Sequence, residues 1–299
     1  MPRFGQVVTA MVTPFHKDGS LNLEGAKRLA RWLQDNGNDG LVIAGTTGEA
    51  PVLTDDERLS LFKAVVEAVT IPVIAGTGTN DTAHSIHLTK EATKLGVAGI
   101  LAVTPYYNRP SQAGIDAHMR AVCGATNLPV VIYDIPVRTG RKINTATLAK
   151  LANEVKNVAG VKDAAGNPAE SARLTTLVPK SFELISGDDG LTLPLMAVGC
   201  TAVIGVATHW SGIDHQEMFK KWNAGDTAGA RAVNARLVES FAFETGDDNP
   251  NPLPTKAMMN HLGLDVGDAR LPMGPPPAGL TERAAQVMKN LVAARTATH

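Results

Sequence analysis

The chain has 299 residues, 44% of them hydrophobic and 19% charged, and its formal net charge is −1. That is the composition of an ordinary globular protein, and it leaves no electrostatic footprint for nucleic acid or an anionic membrane. Any anionic substrate must therefore be gripped locally.

Short apolar runs alternate with longer amphipathic ones. Gln6–Pro14 reads as a strand and Leu23–Gln34 as a helix. Gly40–Ala44 is a strand that ends in Gly45-Thr46-Thr47-Gly48-Glu49. Thr54 opens a helix to about Val69, with Glu57 at the capping-box position. Ile71–Ala75, Gly99–Val103 and Pro129–Tyr133 are strands, separated by helices over Asp81–Leu95 and Ser111–Cys123. A helix over Asn144–Ala152 precedes the strand Val158–Val161, which runs into Lys162. Pro168–Leu177 is a helix, Phe182–Ile185 a strand, Leu191–Val198 a short helix, Ala202–Val206 a strand and Ile213–Trp222 a helix. Strict alternation predicts a parallel sheet. Eight such units with near-continuous apolar strands predict a closed (β/α)8 TIM barrel over residues 1–224. An open doubly wound sheet is the competing arrangement, but no Gly-x-Gly-x-x-Gly opens a first helix. Residues 225–299 read as a C-terminal helical extension. Its helices are expected at Ala228–Phe243, Thr255–Leu262 and Leu280–Ala294, with a polar Gly246–Pro254 loop and an extended, four-proline Leu271–Ala278 segment. The extension is too small for a large core of its own and is expected to pack on the barrel or on a neighbouring subunit.

Cys123 and Cys200 lie far apart in apolar surroundings and read as core residues, without disulfide or metal spacing. The N-terminus carries no signal-peptide apolar region, and no apolar run reaches the roughly 20 residues that span a bilayer. The expectation is a cytoplasmic protein with small-molecule substrates and no nucleic-acid or membrane partner.

In a barrel of this kind the chemistry sits at the C-terminal ends of the strands. The residues there that do not look like core are Thr46, Thr47, Tyr106, Tyr107, Tyr133, Arg138, Lys162 and Gly187. A free lysine, at roughly 10.4, is protonated at neutral pH, but desolvation disfavours the ammonium form. Only the neutral amine attacks a ketone carbonyl to form a Schiff base. Read alone, Lys162 is more simply an ordinary solvated loop lysine, and the strand ends around it favour the reactive reading. Tyr133 is the strand-end phenol placed to carry the proton transfers. Thr46, Thr47 and the backbone amides of their glycine-flanked turn suit a small carboxylate. Arg138 offers a two-pronged donor for a second one, or is a surface arginine. His84 and His87 stand one helical turn apart with no third metal ligand evident. Asp188-Asp189 shapes a turn or binds a metal, the turn being the simpler reading. Trp210 and Trp222 read as packing residues.

Five segments occur together and in order: Gly45-Thr46-Thr47-Gly48-Glu49, Thr104-Pro105-Tyr106-Tyr107-Asn108-Arg109-Pro110, Tyr133-Asp134-Ile135-Pro136-x-Arg138-Thr139-Gly140, Gly160-Val161-Lys162-Asp163 and Ser186-Gly187-Asp188-Asp189. On these the chain resembles the dihydrodipicolinate synthase / N-acetylneuraminate lyase family over about residues 5–265. The resemblance implies a homotetramer, built as a dimer of tight dimers, and no metal or organic cofactor. It implies a pyruvate imine on Lys162, Tyr133 as proton donor and acceptor, and Thr46 and Tyr107 completing a relay, with Tyr107 arriving from the adjacent subunit. Thr47 and Ile204 are then pyruvate contacts, and Tyr106 lies at the tight-dimer contact. Arg138 is similar to the arginine that takes the carboxylate of aspartate semialdehyde. This favours condensation of pyruvate with L-aspartate 4-semialdehyde to 4-hydroxy-tetrahydrodipicolinate, in lysine and diaminopimelate biosynthesis. The alternatives are a related aldolase or dehydratase acting on a 2-keto-3-deoxy sugar acid or another 2-oxo acid, and a barrel kept for binding without turnover. One departure stands out. Lysine-inhibited synthases tend to hold the lysine amino group with a glutamate where this chain has His84, and nearby histidine positions resemble Asp55 and Arg58. Weak or absent lysine feedback is the expectation.

Overall fold

Every strand of this chain is short and carries apolar residues on both faces, so none can stand at the edge of a sheet facing water. The computed structural model, which describes residues 2–297, resolves that constraint by closure. The strands are β1 (Val7–Ala10), β2 (Gly40–Ile43), β3 (Val73–Gly76), β4 (Gly99–Val103), β5 (Val130–Asp134), β6 (Val158–Asp163), β7 (Glu183–Ser186) and β8 (Ala202–Gly205). They pair in parallel and in sequence order, and β1 also pairs with β8 to close the barrel.

The intervening helices are α1 (Leu23–Asp35), α2 (Asp55–Val66), α3 (Thr82–Thr93), α4 (Gln112–Cys123), α5 (Pro136–Thr139), α6 (Thr145–Glu154), α7 (Pro168–Thr175), α8 (Thr192–Met196) and α9 (Thr208–Asn223). Helix α2 begins where its sequence says it should. The Thr54 side chain accepts from the Glu57 amide and the Glu57 carboxylate accepts from the Thr54 amide. Three helices follow the barrel: α10 (Thr227–Phe243), α11 (Leu253–His261) and α12 (Leu280–Ala297).

The two faces of each strand build two cores. Side chains such as Leu41, Ile43, Ile132 and Val161 pack outward under the helices. Val8, Val42, Ile74, Leu101, Val131, Ile185 and Ile204 fill the barrel interior, with Phe4 among them. Phe4 lies close against Gly99, where a Cβ would come within 2.5 Å of the ring. Cys123 and Cys200 are free, buried thiols, and burial pushes both up to about 12. Trp210 is buried and donates from its indole N–H to Ser240 Oγ, while Trp222 is partly buried against the core.

Several expected boundaries move. Strand β1 is only Val7–Ala10, because the chain turns away into the loop before α1. Strand β6 runs through Lys162 to Asp163, two residues past its expected end, because both residues keep their pairing to β5 and β7. Helix α9 begins at Thr208 rather than Ile213, across a kink at Ser211, whose hydroxyl donates back to the Ala207 carbonyl. The proline-rich 271–278 segment is not extended throughout. A turn forms at 271–273, where the Met273 and Gly274 amides both donate to the Arg270 carbonyl. Arg270 is itself anchored, with its guanidinium on Glu57 and on the Val52 and Gly19 carbonyls.

The extension is tied to the barrel by charge as well as by apolar packing. Asp214 of α9 is buried and accepts from Arg236 of α10 and Arg295 of α12. Lys256 of α11 makes a 2.6 Å ion pair with Glu49, and both side chains are almost fully buried. Removing one member of such a pair strands the other charge away from water. Lys256→Ala is therefore expected to cost about 3–5 kcal/mol of unfolding free energy, measured by denaturant titration. A loss under about 1 kcal/mol means that water reaches Glu49 in the variant and the pair is not the anchor.

Candidate active site

The site begins with the two-residue alternation of β6. Val161 faces the outer core, so Lys162 faces the barrel interior, beside its register partners Tyr133 on β5 and Ile185 on β7. The lysine is 4% exposed. Its Nζ lies 4.1 Å above the centroid of the Tyr133 ring. Burial lowers the amine to about 8, with Asp189 pulling the other way. Tyr133 is buried as well, which pushes its phenol up to about 12 and keeps it a proton carrier rather than a phenolate. Its hydroxyl is hydrogen-bonded to Thr46.

Room for the lysine is made by a missing side chain. A Cβ at Gly187 would stand 2.9 Å from Lys162 Cγ and 3.1 Å from Ala164 Cβ. Glycine is required there for close approach rather than for backbone freedom.

The turn after β2 carries Thr46 and Thr47 between two non-glycine residues in the left-handed region, Ala44 (φ 52°) and Glu49 (φ 57°). Such conformations persist where surrounding contacts fix them. Here Thr13 donates to the Gly48 carbonyl, Asn251 donates to Thr47 Oγ1 at 2.9 Å, and the Glu49 carboxylate takes Lys256 and the Arg270 amide. Three of these four ties come from the C-terminal extension.

Two cavities open at this end of the barrel and share Thr46, Tyr133, Ile135 and Arg138. The larger, of about 490 Å³, is lined by Thr47, Lys162 and Gly187, and from the turns beyond by Asp188, Glu244 and Asn251. The other, of about 330 Å³, runs out to Arg58, Tyr106 and Tyr107. Arg138 sits on α5, a four-residue turn begun by Pro136 and closed by Gly140 at φ 71°. That turn projects the guanidinium over both cavities.

The fold thus brings Thr46, Thr47, Tyr133, Arg138, Lys162 and Gly187 together. Tyr107 stands apart. It lies at the outer rim, 89% exposed and with φ 72°, where one chain offers it little to pack on. Ile204 belongs to the barrel interior with Tyr133 and Ile185, and lies outside the linings of both cavities. Of the possible metal ligands, His84 pairs with Asp55 at 2.8 Å and His87 is exposed. Among the described residues no group of three or more His, Cys, Asp or Glu is arranged to hold a metal ion. Asp188 does shape a turn, accepting from the Leu191 amide.

Sequence reasoning missed Glu244 and Asn251. Glu244 ends α10 and Asn251 lies in a polar loop, so neither follows a strand. The one local signal was Asn251-Pro252 at the entry to α11, and it reads equally as a plain turn.

A profile of the Dihydrodipicolinate synthetase family matches residues 3–294. The 4-hydroxy-tetrahydrodipicolinate synthase of Desulforamulus reducens is 47% identical over 292 residues, covering 96% of this chain and 97% of that one. Among solved structures, a dihydrodipicolinate synthase from Bacillus anthracis superposes with a TM-score of 0.92 at 40% identity, covering 97% and 99% of the two chains. The enzyme from Cyanidioschyzon merolae, solved with lysine bound, superposes with a TM-score of 0.94 at 39% identity, covering 98% and 99%. With family motifs at the strand ends and relatives matched nearly end to end, the chain belongs to the dihydrodipicolinate synthetase family.

Proposed function

We propose that the protein condenses pyruvate with L-aspartate 4-semialdehyde to 4-hydroxy-tetrahydrodipicolinate, a lyase step of amino-acid biosynthesis, through an imine on Lys162. The observation that carries the chemistry is a lysine amine brought down to about 8 by burial, beside a phenol held protonated. The neutral Nζ attacks the pyruvate ketone carbon. Tyr133, hydrogen-bonded to Thr46, passes the protons that let the carbinolamine lose water. The resulting iminium draws electrons from the adjacent methyl group. Loss of one methyl proton gives an enamine, whose carbon attacks the aldehyde. The amino group of the aldehyde partner then displaces the Lys162 nitrogen and closes the ring. Thr46 and Thr47 hold the pyruvate carboxylate, Gly187 leaves the lysine its space, and Ile204 supports the pocket from below. Arg138 binds the carboxylate of the semialdehyde, an anion that a guanidinium suits, whereas the cationic amine of the same substrate cannot use it.

Tyr107 completes the relay when a second copy brings it in, within a homotetramer built as a dimer of tight dimers and with Tyr106 at the tight contact. Its exposure at the rim of a single chain supports that reading. Sedimentation of the native protein as a monomer at assay concentration, with full activity, overturns it.

A coupled assay with both substrates, following NADPH oxidation by the next reductase, is expected to show turnover that disappears in Lys162→Ala. The semialdehyde reading fails if turnover is absent although borohydride still fixes pyruvate to Lys162. In that case a different 2-oxo-acid aldolase chemistry is the outcome. Only the unprotonated amine attacks, so kcat/KM is expected to rise with pH, level off above about 8, and hold until well below the Tyr133 value of about 12. Gly187→Ala pushes a methyl group into Lys162 and is expected to lower kcat roughly hundredfold with the fold retained.

Lysine is expected to inhibit weakly or not at all. His84 is already engaged by Asp55, and the Arg58 side chain is a cation lining the same cavity as Tyr106. Half-inhibition at physiological lysine concentrations contradicts this.

A further inference from the structure

Beside the cavity that holds the lysine, two acids share a single turn of backbone. Asp189 Oδ2 accepts from the Val206 amide at 2.7 Å, and Glu244 Oε2 accepts from the next amide, Ala207, at 2.9 Å. Consecutive donors bring the two carboxyl groups side by side. Asp189 is 1% exposed and Glu244 8%. Glu244 shares the 490 Å³ cavity with Lys162. Two ionised carboxylates in contact and out of water repel strongly, so such a pair holds one proton between its members.

The surroundings say where that proton lies. His215 of α9 donates from Nδ1 to the Ser211 carbonyl at 2.9 Å, which can only accept. Its Nε2 faces Asp189 Oδ1, 3.4 Å away. Asp189 Oδ1 makes no hydrogen bond among the described residues, which leaves it open as the acceptor for a carboxyl proton of Glu244. His209, also on α9, takes the Val12 amide on Nε2 and is kept neutral by burial, which lowers it to about 4.

We propose that Asp189 and Glu244 act as one buried monoanion, with the shared proton on Glu244, that positions the Val206–Ala207 turn and supplies the fixed negative charge facing the imine cation on Lys162. Both are positioning residues acting through Lys162, and the inference rests on the imine reading above. The direction of each group agrees. Burial and the Asp189 charge push Glu244 well up, whereas Asp189, despite burial, is held low by His215 and the Val206 amide. Other charged and titratable groups around Lys162 are Arg138 on α5, which opposes its protonation, Tyr133 on β5, and Asp188, whose carboxyl burial pushes up.

One fixed charge has two opposite consequences. It raises the basicity of the free amine, which slows attack at low pH, and it stabilises the iminium once formed. Neutralising Asp189 must therefore move both in a way that simple loosening of the fold does not. The test is borohydride fixation of pyruvate by the full-length protein across pH, with folding verified by circular dichroism. Asp189→Leu, which leaves Glu244 a lone buried acid without a carboxyl partner, is expected to move the low-pH midpoint of fixation down by about one unit, while the imine fraction at a given pyruvate concentration falls about tenfold. Glu244→Gln, which keeps the donor and the single charge, is expected to keep the native midpoint. Glu244→Leu removes the donor and is expected to follow Asp189→Leu.

An infrared measurement needs no pyruvate. The native protein at neutral pH is expected to show the carbonyl stretch of one buried protonated carboxyl group that is absent in Glu244→Gln. A native midpoint in folded Asp189→Leu, or no Glu244-dependent band, overturns the pair. Failure of the native protein to fix pyruvate overturns the imine reading instead, and the infrared band then decides the pair. It decides likewise if Asp189→Leu does not fold.

Discussion

A lysine amine out of water is the condition on which this site depends. Desolvation, helped by the Arg138 charge, brings Lys162 to about 8 against the opposing pull of Asp189. Desolvation on this scale needs a closed barrel. In an open sheet the end of β6 would be hydrated, whereas here Tyr133 and Ile185 flank the lysine on the paired strands and Ile204 belongs to the same interior cluster. Gly187 belongs to the same constraint, because a larger residue would press on the lysine stem.

The C-terminal extension is part of this arrangement. The turn carrying Thr46 and Thr47 has left-handed residues at both ends and is held open by Asn251, Lys256 and the Arg270 amide. The turn after β8 is held by Glu244. The barrel thus supplies Lys162, Tyr133 and Thr46, and the extension ties down the turns after β2 and β8. Its own attachment runs through Asp214, which joins α9, α10 and α12.

What could be read from the sequence follows from which interactions are local. Eight alternating apolar runs are a local pattern, and so is the capping box at Thr54, and both were legible. Lys162 was legible as a strand-end lysine, although not as a residue inside the strand, because pairing to β5 and β7 extends β6 by two residues. Arg138 was legible as a charge, but the four-residue turn that aims it was not, since it rests on Pro136 and a left-handed Gly140 acting together. Asp189 lies far from Glu244 and Asn251 in the chain. Asp189 looked like a turn residue, and Glu244 falls just past the expected end of a helix. Only the folded arrangement puts both on adjacent amides of one turn.

That arrangement also explains why two acids are used where one charge is wanted. A lone carboxyl group as buried as Asp189 would tend to take up a proton and lose its charge. A second acid that donates to it removes that tendency by stabilising the ionised form of its partner, and keeps the total at one negative charge. In the proposed cycle the free amine and the carbinolamine are neutral, and only the iminium is a cation. An unshared pair of charges would hold the lysine as ammonium, and no charge at all would leave the iminium uncompensated in an apolar barrel. One charge on two acids is the intermediate case. It lets the amine exist unprotonated near neutral pH and still favours the cation that must follow.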